Sequence, residues 1–155
     1  MDLLVKLYDI CNIEELSFLK DKSVVIKRAI GPEKKVIIEW VEKNFTKGWA
    51  SECDVALSKT PPTCFVAVKN NSLIGFACYD ATAKGFFGPI GVLESERKTG
   101  VGSALLIRTL KQMYFDGYGY AIIGWAGSVE FFKKTVGAIE VPDSDESIYK
   151  NMLKK

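Results

Sequence analysis

The sequence predicts an α/β domain in which helices flank a central mixed, mostly antiparallel sheet. Three observations carry this expectation. Two β-rich apolar runs, Cys64–Val68 and Leu73–Tyr79, are separated only by the polar turn Lys69-Asn70-Asn71-Ser72, which reads as a hairpin. A run of helical spacing from Gly100 to about Phe115 lies between two strand-like runs, Gly85–Val92 and Tyr120–Trp125, so those strands should be parallel neighbours with the helix crossing between them. Helices, then antiparallel strands, then strand–helix–strand is the order of a mixed α/β sheet.

The elements follow in order. Leu3, Leu4, Leu7, Ile10, Leu16 and Leu19 have helical spacing interrupted near Asn12, so residues 1–21 read as an N-terminal helical extension. The β-branched Val24-Val25-Ile26 opens a strand that ends near Ile30. Gly31-Pro32-Glu33 stops it and starts a helix, with proline in the first turn and an acid at the positive dipole end. Val36, Ile37, Trp40 and Val41 form its apolar face, and a second helix is expected over Glu52–Leu57 before the Thr60-Pro61-Pro62 break. After the strand–helix–strand come a short helix, Val129–Thr135, and two closing strands, Ala138–Val141 and Ile148–Leu153. One domain spans 1–155.

Composition narrows the function classes. Lys plus Arg minus Asp plus Glu gives 21 − 19 = +2, too small an excess to draw the chain to nucleic acid or an acidic membrane. Cys11, Cys53, Cys64 and Cys78 have no metal-binding spacing and sit in apolar stretches, which suits reduced thiols and a cytoplasmic setting. The start Met1-Asp2-Leu3 has no basic leader, and no apolar run reaches the ~18 residues of a membrane span. Histidine is absent, which removes Ser-His-Asp and Cys-His triads, HExxH zinc sites and histidine bases. No metal is expected, and proton transfer must use carboxylates, tyrosines, cysteine or water.

Arg97-Lys98-Thr99-Gly100-Val101-Gly102-Ser103 lies where a strand ends and a helix begins. Amides in a helix's first turn are unpaired and partially positive, two glycines open the approach to them, and two cations flank them. That suits a diphosphate. The alternative is a tight turn in which the glycines only relieve strain. Leu105 stands where a dinucleotide fingerprint needs a third glycine, and there is no Walker loop.

With its context this loop resembles the GNAT superfamily of acyl-coenzyme A N-acyltransferases. Arg97, Gly100 and Gly102 match the pattern R/Q-x-x-G-x-G/A, Val92 stands five residues before the arginine, and Phe131-Phe132-Lys133-Lys134-Thr135-Val136-Gly137 partly matches the later F-Y-x-x-x-G helix. The resemblance implies a sheet splayed at an acyl-coenzyme A cleft and acetyl-coenzyme A as co-substrate. It implies that Ile90, Gly91 and Val92 run along the pantetheine arm and that the amides from Lys98 through Thr99, Gly100, Val101 and Gly102 to Ser103 hold the pyrophosphate. Phe132 is implied to lie beside the coenzyme. It takes the place of the tyrosine that many relatives use as general acid, and a phenyl ring donates no proton.

For the general base Asp80 ranks first, at the end of the strand finishing Cys78-Tyr79, followed by Glu52 and Asp54. Asp143, Asp145 and Glu146 could attract a cationic amine, Tyr79 and Tyr149 are candidate acids, and Trp49 could wall the acceptor site. The expected activity is acetyl transfer to a small primary amine, with an amino sugar such as glucosamine leading and protein amines following. The rival reading is an acyl-coenzyme A-binding module without catalysis. A homodimer is one arrangement left open.

Overall fold

In the computed structural model, which describes residues 1–154, the strands are β1 (Leu3–Lys6), β2 (Val25–Arg28), β3 (Cys64–Lys69), β4 (Ser72–Tyr79), β5 (Phe86–Val92), β6 (Tyr120–Ile123) and β7 (Ile139–Glu140). The helices are α1 (Lys34–Asn44), α2 (Lys47–Leu57), α3 (Val101–Phe115) and α4 (Val129–Val136). The strands form one seven-stranded sheet in the order β2-β3-β4-β5-β6-β1-β7. Every pairing is antiparallel except β5 with β6, the pair that α3 crosses between.

Strand periodicity separates two cores. Phe65, Ala67, Ala77 and Tyr79 face α3 and pack with Leu105, Leu106 and Leu110, while Cys64, Val66, Phe76 and Cys78 face α1 and α2. All eleven of these side chains are buried, and burying a large apolar side chain is worth about 1.5–3 kcal/mol.

Two expectations are corrected. The N-terminal segment is not a helical extension: Leu3–Lys6 is a strand between β6 and β7, with Leu3 and Val5 buried, followed by two 3-10 turns at Leu7–Asp9 and Glu15–Phe18. Leu3 and Val5 face the core while Leu4 lies half-buried on the other face, and a continuous apolar run has no period to separate strand from helix. Ile148–Leu153 forms no strand. Ser147–Tyr149 is a 3-10 turn there, with Ile148 more than half exposed.

β5 and β6 pair only at Phe86 with Ile122 and Phe87 with Ile123. Immediately afterwards the β4–β5 register slips: Tyr79 is opposite Phe87 but Ala77 is opposite Ile90, so β5 carries one extra residue at Gly88-Pro89. The bulge bends β5 away from β6 and opens the sheet, and Pro89 within it has no N–H to donate to a ladder.

Candidate active site

The gap between β5 and β6 holds two adjoining chambers. The larger, about 730 Å³, is lined by Ile90, Gly91, Val92, Arg97, Lys98, Gly100, Gly102, Ser103 and Phe132, with Phe45, Phe131 and Lys134 in its walls. The smaller, about 310 Å³, is lined by Glu52, Thr82, Pro89, Gly124, Trp125 and Tyr149 among others. Trp49, Ile90, Ser128 and Phe132 border both.

The larger chamber has an open strand edge. Leu93 N–H bonds to Ile74 O at 2.9 Å, so in this register Gly91 exchanges its bonds with Phe76 while the N–H and C=O groups of Ile90 and Val92 point away from β4. Arg97 takes one of them, its Nε donating to Val92 O at 3.2 Å. Gly91 has no room for a side chain, since a Cβ would meet Phe45 at 2.7 Å and Phe76 at 2.8 Å.

At the far end α3 begins with its first turn open. Ala104 N–H bonds to Gly100 O at 3.0 Å, but the N–H groups of Val101, Gly102 and Ser103 have no acceptor among the described residues, and no side chain caps the helix. Lys98 (φ 65) and Gly100 (φ 87) curl the preceding loop around this end, giving a concave set of donors. The two glycines do different work. A Cβ on Gly100 would collide with the carbonyl oxygen of Phe18, whereas one on Gly102 would touch only Phe131 and Val92 at ordinary 3.7–3.8 Å separations, projecting into the chamber. Thr99 and Val101 are not in the lining: the Thr99 hydroxyl donates to Glu96 O, its carbonyl accepts from Lys20 N–H at 3.0 Å, and the Val101 side chain is buried in the core.

Of the carboxylates and tyrosines singled out from the sequence, Glu52 and Tyr149 line the smaller chamber. Glu52 lies one helical turn beyond Trp49 on α2, and its carboxylate accepts a hydrogen bond from the Thr82 hydroxyl. Burial raises its pKa above the usual carboxylate value, and the Thr82 bond only partly opposes that. Asp80 does not face the cleft. Its carboxylate accepts from Gly85 N–H at 2.7 Å and from the Tyr118 hydroxyl at 2.8 Å, closing the β4–β5 turn. Tyr79 points to the opposite face of the sheet, where its hydroxyl donates to Asp116. Asp143 is exposed in a turn outside both chambers, and Asp54 pairs with Lys34 at 3.2 Å on the outer face of α2.

Tyr149 does reach the smaller chamber, stacked on Trp125 at 4.1 Å between ring centroids. Its hydroxyl occupies the space a Cβ on Gly124 would need. Burial first, then the negative charges of Glu52 and Asp2, push its pKa up and hold it protonated. Thr82, Gly124 and Trp125 were not singled out as acceptor-wall residues from the sequence. Gly124 and Gly127, just past the end of β6, line the chamber without side chains of their own.

A splayed parallel pair, a free edge on β5 and an open-ended α3 are joined in one cleft, and residues 34–138 match the Acetyltransferase (GNAT) family. The chain belongs to that family. Its members use acetyl-coenzyme A as co-substrate, and the larger chamber has unpaired amides with the cations Arg97, Lys98 and Lys134 at one end and the unpaired Ile90 and Val92 edge along its side. None of the curated proteins matches the chain. Among solved structures it resembles a glucosamine N-acetyltransferase region within a fungal multi-domain GH3 beta-N-acetylglucosaminidase, with TM-score 0.69, 14% identity, 87% of this chain and 19% of that one. It also resembles a GCN5-related N-acetyltransferase from Sphaerobacter thermophilus, with TM-score 0.67, 18% identity, 89% of this chain and 47% of that one. An aminoglycoside acetyltransferase from an uncultured soil metagenomic sample gives TM-score 0.58 and 17% identity over 78% of this chain and 93% of that one. At these identities the likeness is one of fold, and the chain spans between about a fifth and a half of the first two. No helix among the described residues is long and apolar enough to cross a membrane.

Proposed function

We propose that this chain is an acetyl-coenzyme A-dependent N-acetyltransferase that moves the acetyl group to a small primary amine by direct attack. The observation that carries the reading is the adjacency of the two chambers across Ile90 and Phe132, with unpaired helix-end amides in one and the partly buried Glu52 carboxylate in the other. The family co-substrate supplies a thioester, and this chain's residues do the rest. Glu52 takes a proton from the acceptor ammonium, helped by burial that keeps its pKa high enough to hold that proton. The free N–H groups of Ile90 and Val92 are the donors for charge developing on the acyl oxygen. With Phe132 in the family tyrosine's place, the protonated Tyr149 is the chamber's acid. A coenzyme thiol with a pKa near a cysteine's ~8.5 can also leave with help from water alone.

The acceptor we favour is an amino sugar such as glucosamine. Trp49 and Trp125 give the smaller chamber flat apolar walls for a pyranose, and Glu52 gives it a charge for the ammonium. Two of the folds it resembles belong to a glucosamine N-acetyltransferase region and an aminoglycoside acetyltransferase. The free, buried Cys53, Cys64 and Cys78 suit the reducing cytoplasm.

Two measurements test this together: calorimetric titration with coenzyme A, and thiol release from acetyl-coenzyme A across a panel of amino sugars, polyamines and peptides. Amino sugars should give the highest kcat/KM. Absence of coenzyme affinity would sink the reading, and tight binding with no turnover on any amine would support a binding module instead.

A further inference from the structure

The acceptor chamber is walled on one side by residues that do not hold themselves in place. Trp125 is 48% exposed and sits at φ 45, a left-handed conformation that a bulky residue seldom adopts. Tyr149 lies on a single 3-10 turn with few buried neighbours. Such groups keep one geometry only where other contacts over-determine it.

Those contacts converge on Asp2. The register of β1 with β6 ends at Leu3 opposite Ile123, which brings Asp2 alongside Gly124 and Trp125 as β6 opens into the chamber. Asp2 is buried, with 7% of the residue exposed, and its carboxylate uses both oxygens. Oδ1 accepts from Trp125 N–H at 3.1 Å, and Oδ2 accepts from the Ser147 hydroxyl two residues before Tyr149. Its backbone extends the same web: Asp2 N–H donates to Ser144 Oγ at 2.8 Å and Asp2 O accepts from Val141 N–H at 2.9 Å. The Trp125 indole then donates to Asp145 O at 2.9 Å, closing a ring from Asp2 through Trp125 and the 144–147 turn back to Asp2. Hydrogen bonds to an ionised carboxylate are the stronger kind, and a buried carboxylate lacking them would be costly.

We propose that Asp2 is a positioning residue for the acceptor: its carboxylate clamps Trp125 to the Ser147 turn, and so fixes the stacked Trp125–Tyr149 wall against which the amine substrate binds. It touches neither coenzyme nor reacting atoms and acts only through that wall. The inference rests on the acetyl-transfer reading for its consequence and on hydrogen bonds alone for its cause, so the two can fail separately.

The test uses the full chain with Asp2→Ala, Asp2→Asn and the milder Ser147→Ala, which keeps the question open to refutation if Asp2→Ala folds poorly. Three quantities are read: acceptor KM and kcat, coenzyme A affinity by calorimetry, and backbone hydrogen exchange across 141–149. Loss of two charge-assisted bonds should raise acceptor KM in Asp2→Ala by about tenfold or more and, because the same wall carries Tyr149, lower kcat as well, with coenzyme A affinity changed less than about twofold. Exchange across 141–149 should quicken while α3 stays protected. Asp2→Asn, which keeps an acceptor for Trp125 N–H, should recover most of the KM, and Ser147→Ala should raise it partway. Unchanged KM in Asp2→Ala and Ser147→Ala overturns the proposal, as does an equal loss of acceptor and coenzyme affinity, which marks general damage. If the unaltered chain binds coenzyme but acetylates no amine, the catalytic reading fails; unchanged exchange across 141–149 would then overturn the clamp as well, and faster exchange there would uphold it.

Discussion

Glu52 and Asp80 are carboxylates of nearly equal intrinsic acidity, and their surroundings give them opposite work. Glu52 is partly desolvated with one hydroxyl donor, which raises its pKa, while Asp80 is held by a backbone amide and a tyrosine in a turn. A base must be ionised to accept a proton, so kcat/KM should climb with pH through the raised Glu52 pKa, above the ordinary carboxylate range. Glu52→Gln should lower kcat/KM by about 10²-fold or more and abolish that limb of the pH profile. The same shift has a stability sign: Glu52 favours the fold while protonated and costs stability as pH rises through its folded pKa, so the glutamine variant should unfold no earlier at pH 8. Asp80→Ala should leave the position of the pH limb unchanged and cost about 1–3 kcal/mol in denaturant unfolding, because Gly85 N–H and the Tyr118 hydroxyl lose their acceptor. From the sequence Asp80 ranks above Glu52, and the surroundings that separate them appear only in the fold. Asp80 follows a strand end and so suggests a cleft mouth, but its φ of 53 turns it back on its own loop, and only the folded chain shows that.

At the scale of elements, the strand–loop–helix unit was the most legible part of the chain, because β5, α3 and β6 each carry their own periodicity and the loop between them carries glycines. What those glycines are for was not legible. Gly100 is required by the N-terminal segment, whose Phe18 carbonyl packs where its Cβ would be, and by a φ of 87. Gly102 has ordinary helical geometry, and only the cleft lies beyond it. The two alanine variants should therefore separate. Gly100→Ala should lower Tm sharply and loosen the 15–19 turn. Gly102→Ala should hold or slightly raise Tm, since alanine favours a helix over glycine by about 1 kcal/mol, while weakening coenzyme A binding by about tenfold or more through a methyl group in the diphosphate cradle. Calorimetry and thermal unfolding on the pair distinguish these outcomes. Equal coenzyme affinity in Gly102→Ala would remove the cradle from the site.

For the molecule as a whole, the decisive departure from the sequence reading is the N-terminal segment, which crosses the sheet and then clasps α3. Leu3 and Val5 enter the α3-side core, and Glu15, also buried, receives Lys111 at 2.9 Å with Arg108 at 3.7 Å. Burial alone would raise the Glu15 pKa, but the Lys111 hydrogen bond and the two positive charges outweigh it and bring it below the usual value. The sequence hid this because a strand four residues long leaves an apolar run with too few residues to show a period, as a short helix also does. If the segment were an appended arm, shortening Leu3 would trim an exposed contact and change little. Because it lies between β6 and β7, Leu3→Ala should cost about 2–5 kcal/mol in denaturant unfolding. The clasp adds a pH signature. A carboxylate whose folded pKa is depressed contributes stability above its unfolded pKa, near ~4.3, and loses that contribution as pH falls through the folded value. Glu15→Gln should therefore be less stable than the unaltered chain at pH 7, with the gap narrowing as acid protonates Glu15. A gap that stays constant down to the lowest folded pH would mean that Lys111 and Arg108 do not hold this carboxylate in solution, and that β1 alone fastens the N-terminal segment to the sheet.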